Sequence, residues 1–300
     1  MIDDDEEPIP RIRPVRRPGR WAAVGVCLVL GAMFVNALVT NPAFQWPVVR
    51  EFFTTEAVIG GLVTSLWLTA AAAAGGFAAG TVLALMRLGG GPVLRTLSWG
   101  YVWVFRSIPL LVQLLFWFNI AALYQRLSLG IPFGPELVSF QTTNVISPLM
   151  AAFIGLTLHE AAYASEVVRA GILSVDQGQI DAAHALGLSR LRILRRIVLP
   201  QAMRSIIPPA GNLVVGLLKA TSMVSVIAVQ DLLYSVQVIY NRNYLIIPLL
   251  LVATLWYLIV TSILSVVQYY IERFYARGSA RELPPTPWER LRTRIAVISS

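Results

Sequence analysis

Six long apolar runs alternate with polar segments along the chain: Trp21 to about Thr40, Ile59–Met86, Leu97–Leu123, Ile146–Val168, Ser205–Val229 and Ile246–Ile271. Each is about 20 residues long or longer, the length that a helix needs to cross a hydrocarbon core, and none alternates as barrel strands do. A bilayer admits only helices and closed barrels. The pattern therefore predicts an all-α, polytopic membrane bundle of six transmembrane helices. Two runs have internal texture. The second contains Ala70–Ala74, Gly75, Gly76, Ala78, Ala79 and Gly80, small residues that let helix backbones approach closely. The fifth opens on Pro208, Pro209 and Gly211, so its first turns are expected to be kinked or non-ideal.

Composition agrees. Hydrophobic residues make up 56% of the 300-residue chain and charged residues 13%, about half the 25% that soluble domains carry. The formal net charge is +8, with Arg as 23 of the 24 basic residues. With the N-terminus in the cytoplasm, the outer loops hold only Arg50, Arg126 and Arg242. The inner segments then hold Arg11, Arg13, Arg16, Arg17 and Arg20, Arg87 and Arg95, the cluster from Arg169 to Arg204, and Arg273 to Arg294. This asymmetry places both ends inside. Charge of this kind marks cytoplasmic faces and lipid headgroups rather than nucleic acid. Residues 1–20, acidic and then rich in Pro and Arg, read as a disordered cytoplasmic tail, and residues 274–300 as a second one. No small-residue cleavage site follows the first run, so residues 21–40 read as a spanning helix rather than a signal peptide, with Trp21 and Trp46 as interfacial anchors. Thirty aromatic residues (12 Phe, 8 Trp, 10 Tyr) fit interfacial belts and lipid contact.

Several chemistries are excluded. A lone Cys27 supports neither a disulfide framework nor a cysteine-rich metal site, and two histidines, His159 and His184, do not build a metal centre alone. There is no phosphate loop of the GxxxxGK[ST] type, so this chain does not bind ATP through a Walker motif of its own.

Between the fourth and fifth runs, Ala170–Arg204 is polar and patterned. Gln179–Leu186 reads as a short helix ended by Gly187 in the left-handed region, with Ser189 as N-cap of a second helix, Arg190–Val198, closed by Pro200. Leu191, Leu194 and Val198 would form its apolar face, and Arg190, Arg192, Arg195 and Arg196 would fill most of the rest. The result looks like a docking knob outside the membrane, with Ala182 and Ala183 exposed for close approach.

Asp181-Ala182-Ala183-x-x-x-Gly187, followed by Ile197-x-Leu199-Pro200, resembles the EAA loop (residues 175–200) of the membrane subunits of ABC importers. Phe105-Arg106-Ser107-Ile108-Pro109-Leu110-Leu111-Val112-Gln113 resembles a stretch of polar amino-acid permeases. So do Ala162-Tyr163-x-x-Glu166-x-x-Arg169-x-Gly171-Ile172, Pro208-Pro209-x-Gly211-Asn212 and Leu218-Lys219-x-Thr221-Ser222-x-Val224-Ser225-Val226. The likeness covers residues 59–273, a five-helix type I importer core, and leaves the first span outside it. Asp181 stands where the family has Glu, Ser107 where it has Gly, and His159-Glu160 where a small polar pair is more usual.

The resemblance implies a permease subunit, not an enzyme. It would translocate a polar amino acid delivered by an extracytoplasmic binding protein, across a bacterial inner membrane. A second permease subunit, identical or homologous, would complete the pathway, and separate ATPase subunits carrying ATP and Mg would drive it. This chain would bind no cofactor and no metal. Asp181, Ala182, Ala183, Gly187, Ile197 and Pro200 would form the ATPase contact. Ionisable groups at membrane depth are costly and therefore candidates for function, so Arg106, His159, Glu160, Glu166 and Lys219, with Thr221 and Ser222 beside them, are expected along the pathway. Lys219 and Glu160 would line the pathway or pair with each other, the competing reading being purely structural pairing. For Arg106 and Glu166 the competing reading is snorkelling to an interface, and for His159 a hydrogen-bonded helix residue. Asp231, Gln237 and Arg242 are candidates to touch the binding protein. Two rival functions use the same residues: an ion-coupled secondary transporter, and a non-transporting scaffold.

Overall fold

The computed structural model describes residues 18–131 and 136–275. Apart from residues 18–20 and 274–275, both expected tails lie outside the described residues. In chain order the elements are α1 (Pro18–Thr40), a 3₁₀ turn (Pro42–Phe44), α2 (Trp46–Phe52), α3 (Glu56–Gly89), α4 (Pro92–Ser107), α5 (Leu110–Phe118) and α6 (Ile120–Leu123). They continue with β1 (Arg126–Gly130), β2 (Glu136–Gln141), α7 (Thr142–Val145), α8 (Pro148–Leu173), α9 (Gln177–Ala185) and α10 (Arg190–Ile193). A π turn (Leu194–Val198), α11 (Leu199–Ala220), a 3₁₀ segment (Thr221–Ile227), α12 (Leu232–Asn243) and α13 (Ile246–Tyr275) complete the fold.

The architecture is an all-α membrane bundle built around α3 and α8. The small residues of α3 allow the seam: a Cβ on Gly76 would lie 2.7 Å from Cβ and Cγ of Glu160, and one on Gly80 would lie 2.8 Å from Ala161 O. Two buried clusters fill the bundle. Leu68, Ala72, Leu110, Leu114, Leu156, Leu217, Val224 and Ile227 pack where α3, α5, α8 and α11 meet. Val58, Leu62, Val236, Leu249 and Val252 join α3 to α12 and α13. The indole of Trp256 stacks on Phe53 at 4.7 Å and donates to Phe53 O at 2.8 Å, fixing α13 against the segment before α3. α1 is exposed along its apolar window, and the Trp46 indole donates to its Leu38 O at 2.9 Å.

Among the described residues, four helical stretches are long and apolar enough to cross a bilayer: Ala22–Thr40, Glu56–Gly89, Arg190–Ile227 and Ile246–Tyr275. The bent pair α4–α5 makes a fifth. α8, the fourth run of the sequence, is not among them. His159 and Glu160 near its middle lower its hydropathy, and it does not need to be lipophilic because α3, α4, α5 and α11 wall it in.

Two expectations are corrected, for the third run and for Pro200. The third run is not one straight helix: α4 and α5 meet at 101°. Pro109 disfavours helical backbone at Ile108, which is extended (φ −93°, ψ 129°), so the chain turns there despite its unbroken apolarity. Pro208 and Pro209 at the start of the fifth run lie inside α11, which continues through them. Pro200 does not close a separate helix. It sits in the first turn of α11, where a missing N–H is tolerated, and Arg190–Ile227 runs on as one 38-residue stretch. Finally, the segment after α6 holds a small antiparallel hairpin, with Arg126 opposite Gln141 and Leu127 opposite Phe140.

Candidate functional site

Two regions carry the predicted residues: the α9–α10 hairpin, and the polar groups buried among α3, α4, α5, α8 and α11.

The hairpin is built by local capping. The Asp176 carboxylate accepts from Gln179 N at 3.1 Å and starts α9. Gly187, at φ +72°, ends it. Gly187 N donates to His184 O at 2.9 Å and Leu188 N to Ala183 O at 3.1 Å, a reciprocal pair that satisfies carbonyls left open at the helix end. Ser189 stands at the start of α10 as expected, but its side chain makes no cap hydrogen bond. Asp181, Ala182 and Gly187 are exposed, and Asp181 accepts from the Gln177 amide at 3.0 Å. Ala183 is not exposed: it is buried with Val175, Ile193, Val198, Ala202 and Ile206. The apolar face is therefore Ile193, Ile197 and Val198, while Leu191 and Leu194 point outward. The π turn at Leu194–Val198 inserts a residue into the helical period and so rotates the face away from the expected one. Pro200 is exposed at the start of α11, and the Gln201 amide donates to the Gln179 side chain at 2.6 Å, tying α9 to α11.

In the membrane part, Glu166 is held in ion pairs. Its carboxylate accepts from Arg87 at the end of α3 and from Arg169 Nη2 at 2.9 Å, one turn along α8. Arg106 is exposed at the α4–α5 break, with its guanidinium 5.3 Å from the Tyr163 ring centre. A cavity of about 320 Å³ opens between them, bordered by Arg87, Trp103, Arg106, Tyr163 and Glu166. His159 Nδ1 lies 3.3 Å from the Gln113 amide, consistent with a hydrogen-bonded helix residue. Gln113 is the residue that sequence reasoning left without a role. Its Nε2 donates to Phe105 O at 2.9 Å and Ile108 O at 2.8 Å, satisfying carbonyls released where α4 ends.

Glu160 is buried at the α3–α8 seam, and its Oε1 has no hydrogen-bond partner. It borders a cavity of about 180 Å³ shared with His159, Tyr163, Asn212, Gly216 and Ala220. Lys219 is exposed on α11 and, among the described residues, makes no ion pair with Glu160. The Thr221 and Ser222 hydroxyls each donate to a carbonyl three residues back, at 2.7 Å, in their own helical stretch.

Asp231, a candidate for contact with a binding protein, is fully buried. It accepts from Tyr234 N at 2.8 Å and Leu233 N at 3.2 Å, capping α12, and Tyr257 OH lies 3.4 Å from it. Of its companions, Gln237 is half-buried and Arg242 exposed.

Residues 76–277 match the family of binding-protein-dependent transport system inner membrane components. The arginine transport system permease protein ArgU of Corynebacterium glutamicum is 39% identical over 90% of this chain and 84% of its own length. The L-cystine transport system permease protein TcyB of Bacillus subtilis is 35% identical over 83% of this chain and all of its own. Among solved structures, an amino acid ABC transporter crystallised with histidines superposes with a TM-score of 0.61 at 31% identity, over 72% of this chain and 93% of that one. With its membrane bundle and the match over two thirds of its length, this chain belongs to the inner membrane components of binding-protein-dependent transport systems, among the permease subunits of amino-acid ABC importers.

Proposed function

We propose that the hairpin Gln177–Val198 is gripped by a separate ATPase subunit, and that the Glu160 cavity receives the cationic group of an amino acid on its way through. The reading takes six spans with both ends in the cytoplasm: α1, α3, the bent α4–α5 pair, α8, the part of the long stretch beyond the hairpin (residues 199–227) and α13. The arginine distribution supports that orientation. A second permease subunit would supply the opposite wall of the pathway, a binding protein would deliver the solute outside, and ATP and Mg would sit on the ATPase. Membership of the family leaves no place for an ion-coupled transporter or an inert scaffold.

Continuity of the chain supports a mechanical route. The hairpin is fastened to α11 by its own apolar cluster and by the Gln179–Gln201 contact, and the Ser174–Ser205 contact ties the end of α8 to the same helix. α11 in turn carries Asn212 and Gly216, which border the Glu160 cavity. Pro200 to Gly216 spans about 24 Å of helix at 1.5 Å per residue. A push on the hairpin thus moves one wall of the cavity as a rigid body, the kind of two-state rocking that alternating access needs.

One observation carries the cargo assignment: a buried carboxylate with an unpartnered oxygen, on a residue that borders a small cavity, in a chain whose 39%-identical relative is named for arginine transport. Unsatisfied buried carboxylates are costly, and an ammonium or guanidinium in passage would satisfy this one. In vesicles holding the complete importer, Glu160→Gln keeps the shape and removes the charge. Arginine uptake is expected to fall about tenfold or more, from the 1.5–3 kcal/mol of a charged hydrogen bond. Uptake at the wild-type rate overturns the assignment.

A further inference from the structure

We infer that the chain carries a site for the phosphate headgroup of an anionic lipid, at the turn between α3 and α4. A cavity of about 350 Å³ lies there, lined by Arg87, Leu88, Arg95, Thr96, Trp99 and Arg169. Three of the six lining residues are arginines, and among the described residues the only carboxylate bonded to any of them is Glu166, shared by Arg87 and Arg169. Three positive charges against one negative leave the pocket at +2. The shared carboxylate holds two of the guanidinium groups in place, so little side-chain freedom is lost when an anion arrives. Arg95 is exposed and has no ion-pair partner among the described residues. It is the residue with most to gain from a phosphate.

The surroundings favour a lipid over a soluble anion. The pocket lies where α3 ends and α4 begins, across the short Gly89–Gly91 connection, which is where a spanning helix meets the headgroup layer. Trp99 lines it and stacks on Trp103 at 6.1 Å, both more than half exposed, as interfacial tryptophans are. Beside it, Val93, Leu94 and Leu97 on the first turns of α4 are 45–69% exposed and offer apolar surface to acyl chains. A basic pocket between spanning helices, with an aromatic rim and an apolar flank, matches a phosphatidylglycerol or cardiolipin headgroup. This site does not depend on which solute the importer carries. It shares Arg87 and Trp99 with the neighbouring cavity at Arg106, but Leu88, Arg95, Thr96 and Arg169 line this pocket and not that one.

The test uses the full chain purified in mild detergent, with dioleoylphosphatidylglycerol and dioleoylphosphatidylcholine added in equal amounts, and reads retained lipid by native mass spectrometry. Phosphatidylglycerol is expected to be retained preferentially. Arg95→Gln, an exposed substitution that leaves the Glu166 pairing intact, should lower its retention about fivefold, the equivalent of about 1 kcal/mol per arginine at a membrane surface. Arg50→Gln, away from the pocket, should leave retention unchanged. Equal retention of the two lipids, or wild-type retention in Arg95→Gln, overturns the proposal. So does displacement of the lipid by millimolar inorganic phosphate, which would assign the pocket to a free anion.

Discussion

Gly80→Ala is expected to destabilise the bundle by forcing α3 away from α8. A Cβ at position 80 would sit 2.8 Å from Ala161 O, 2.8 Å from the Ala164 Cβ and 2.9 Å from Ser165 N, all on α8. Two of these atoms are backbone and the third is a Cβ, so no side-chain rotation relieves the clash and α3 must move away from α8. Overpacking of this kind costs about 1–3 kcal/mol, against roughly 1 kcal/mol at most that alanine returns over glycine in helix propensity. Gly60→Ala supplies the matched control. It lies on the same helix with nothing within 4 Å of the added methyl, so only the propensity gain applies. Thermal unfolding of the purified chain, followed by tryptophan fluorescence, should show a lower midpoint for Gly80→Ala and an equal or higher one for Gly60→Ala. Equal midpoints for the two variants would mean that the α3–α8 seam is not the tight contact described above. The functional consequence follows from position, because Glu160 stands on the same seam, against Gly76.

What the sequence made legible was local, and what it hid was either long-range or a change of period. The small-residue stretch of α3 and the left-handed Gly187 were readable because each is dictated within a few residues. Asp176 and Asp231 are caps of the same local kind, each preceding a helix and accepting from its first N–H groups. For Asp231 the local signal lost to the assumption that a polar residue between spans faces outward. The bend at Ile108–Pro109 also had a local signal, the residue before a proline, which an unbroken apolar run outweighed. The apolar face of Arg190–Val198 was misassigned because a period of 3.6 was extended through what is a π turn, which also brought Ile193 and Val198 in beside Ala183. No local pattern could pair Arg87 with Glu166, 79 residues apart, or leave Glu160 Oε1 unsatisfied, since both depend on how α3 and α8 meet.

Replacing Gly187 with proline is expected to disconnect ATP hydrolysis from transport while leaving the membrane bundle assembled. The hairpin turns on one residue at φ +72°, and proline is held near −65°. The substitution also removes the N–H that Gly187 donates to His184 O, and it displaces Leu188, whose N–H closes α9 on Ala183 O. Ala183 is one of six buried residues that fix the hairpin to α11, so unwinding the end of α9 loosens the lever at its attachment. Space is not the obstacle, since nothing lies within 4 Å of a Cβ there. Backbone conformation alone should therefore rank the variants. Asparagine visits the left-handed region readily and should retain most coupling, whereas valine bears about 1–2 kcal/mol of strain, enough to shift a marginal hairpin roughly tenfold. Proline should be worst. In vesicles with the complete importer, binding-protein-stimulated ATPase activity and amino-acid uptake are expected to fall in the order asparagine, valine, proline. The thermal midpoint of the isolated permease should change little, because the buried clusters of α3, α5, α8, α12 and α13 do not include the hairpin. If proline and asparagine variants transport equally well, the hairpin is not where force enters this chain.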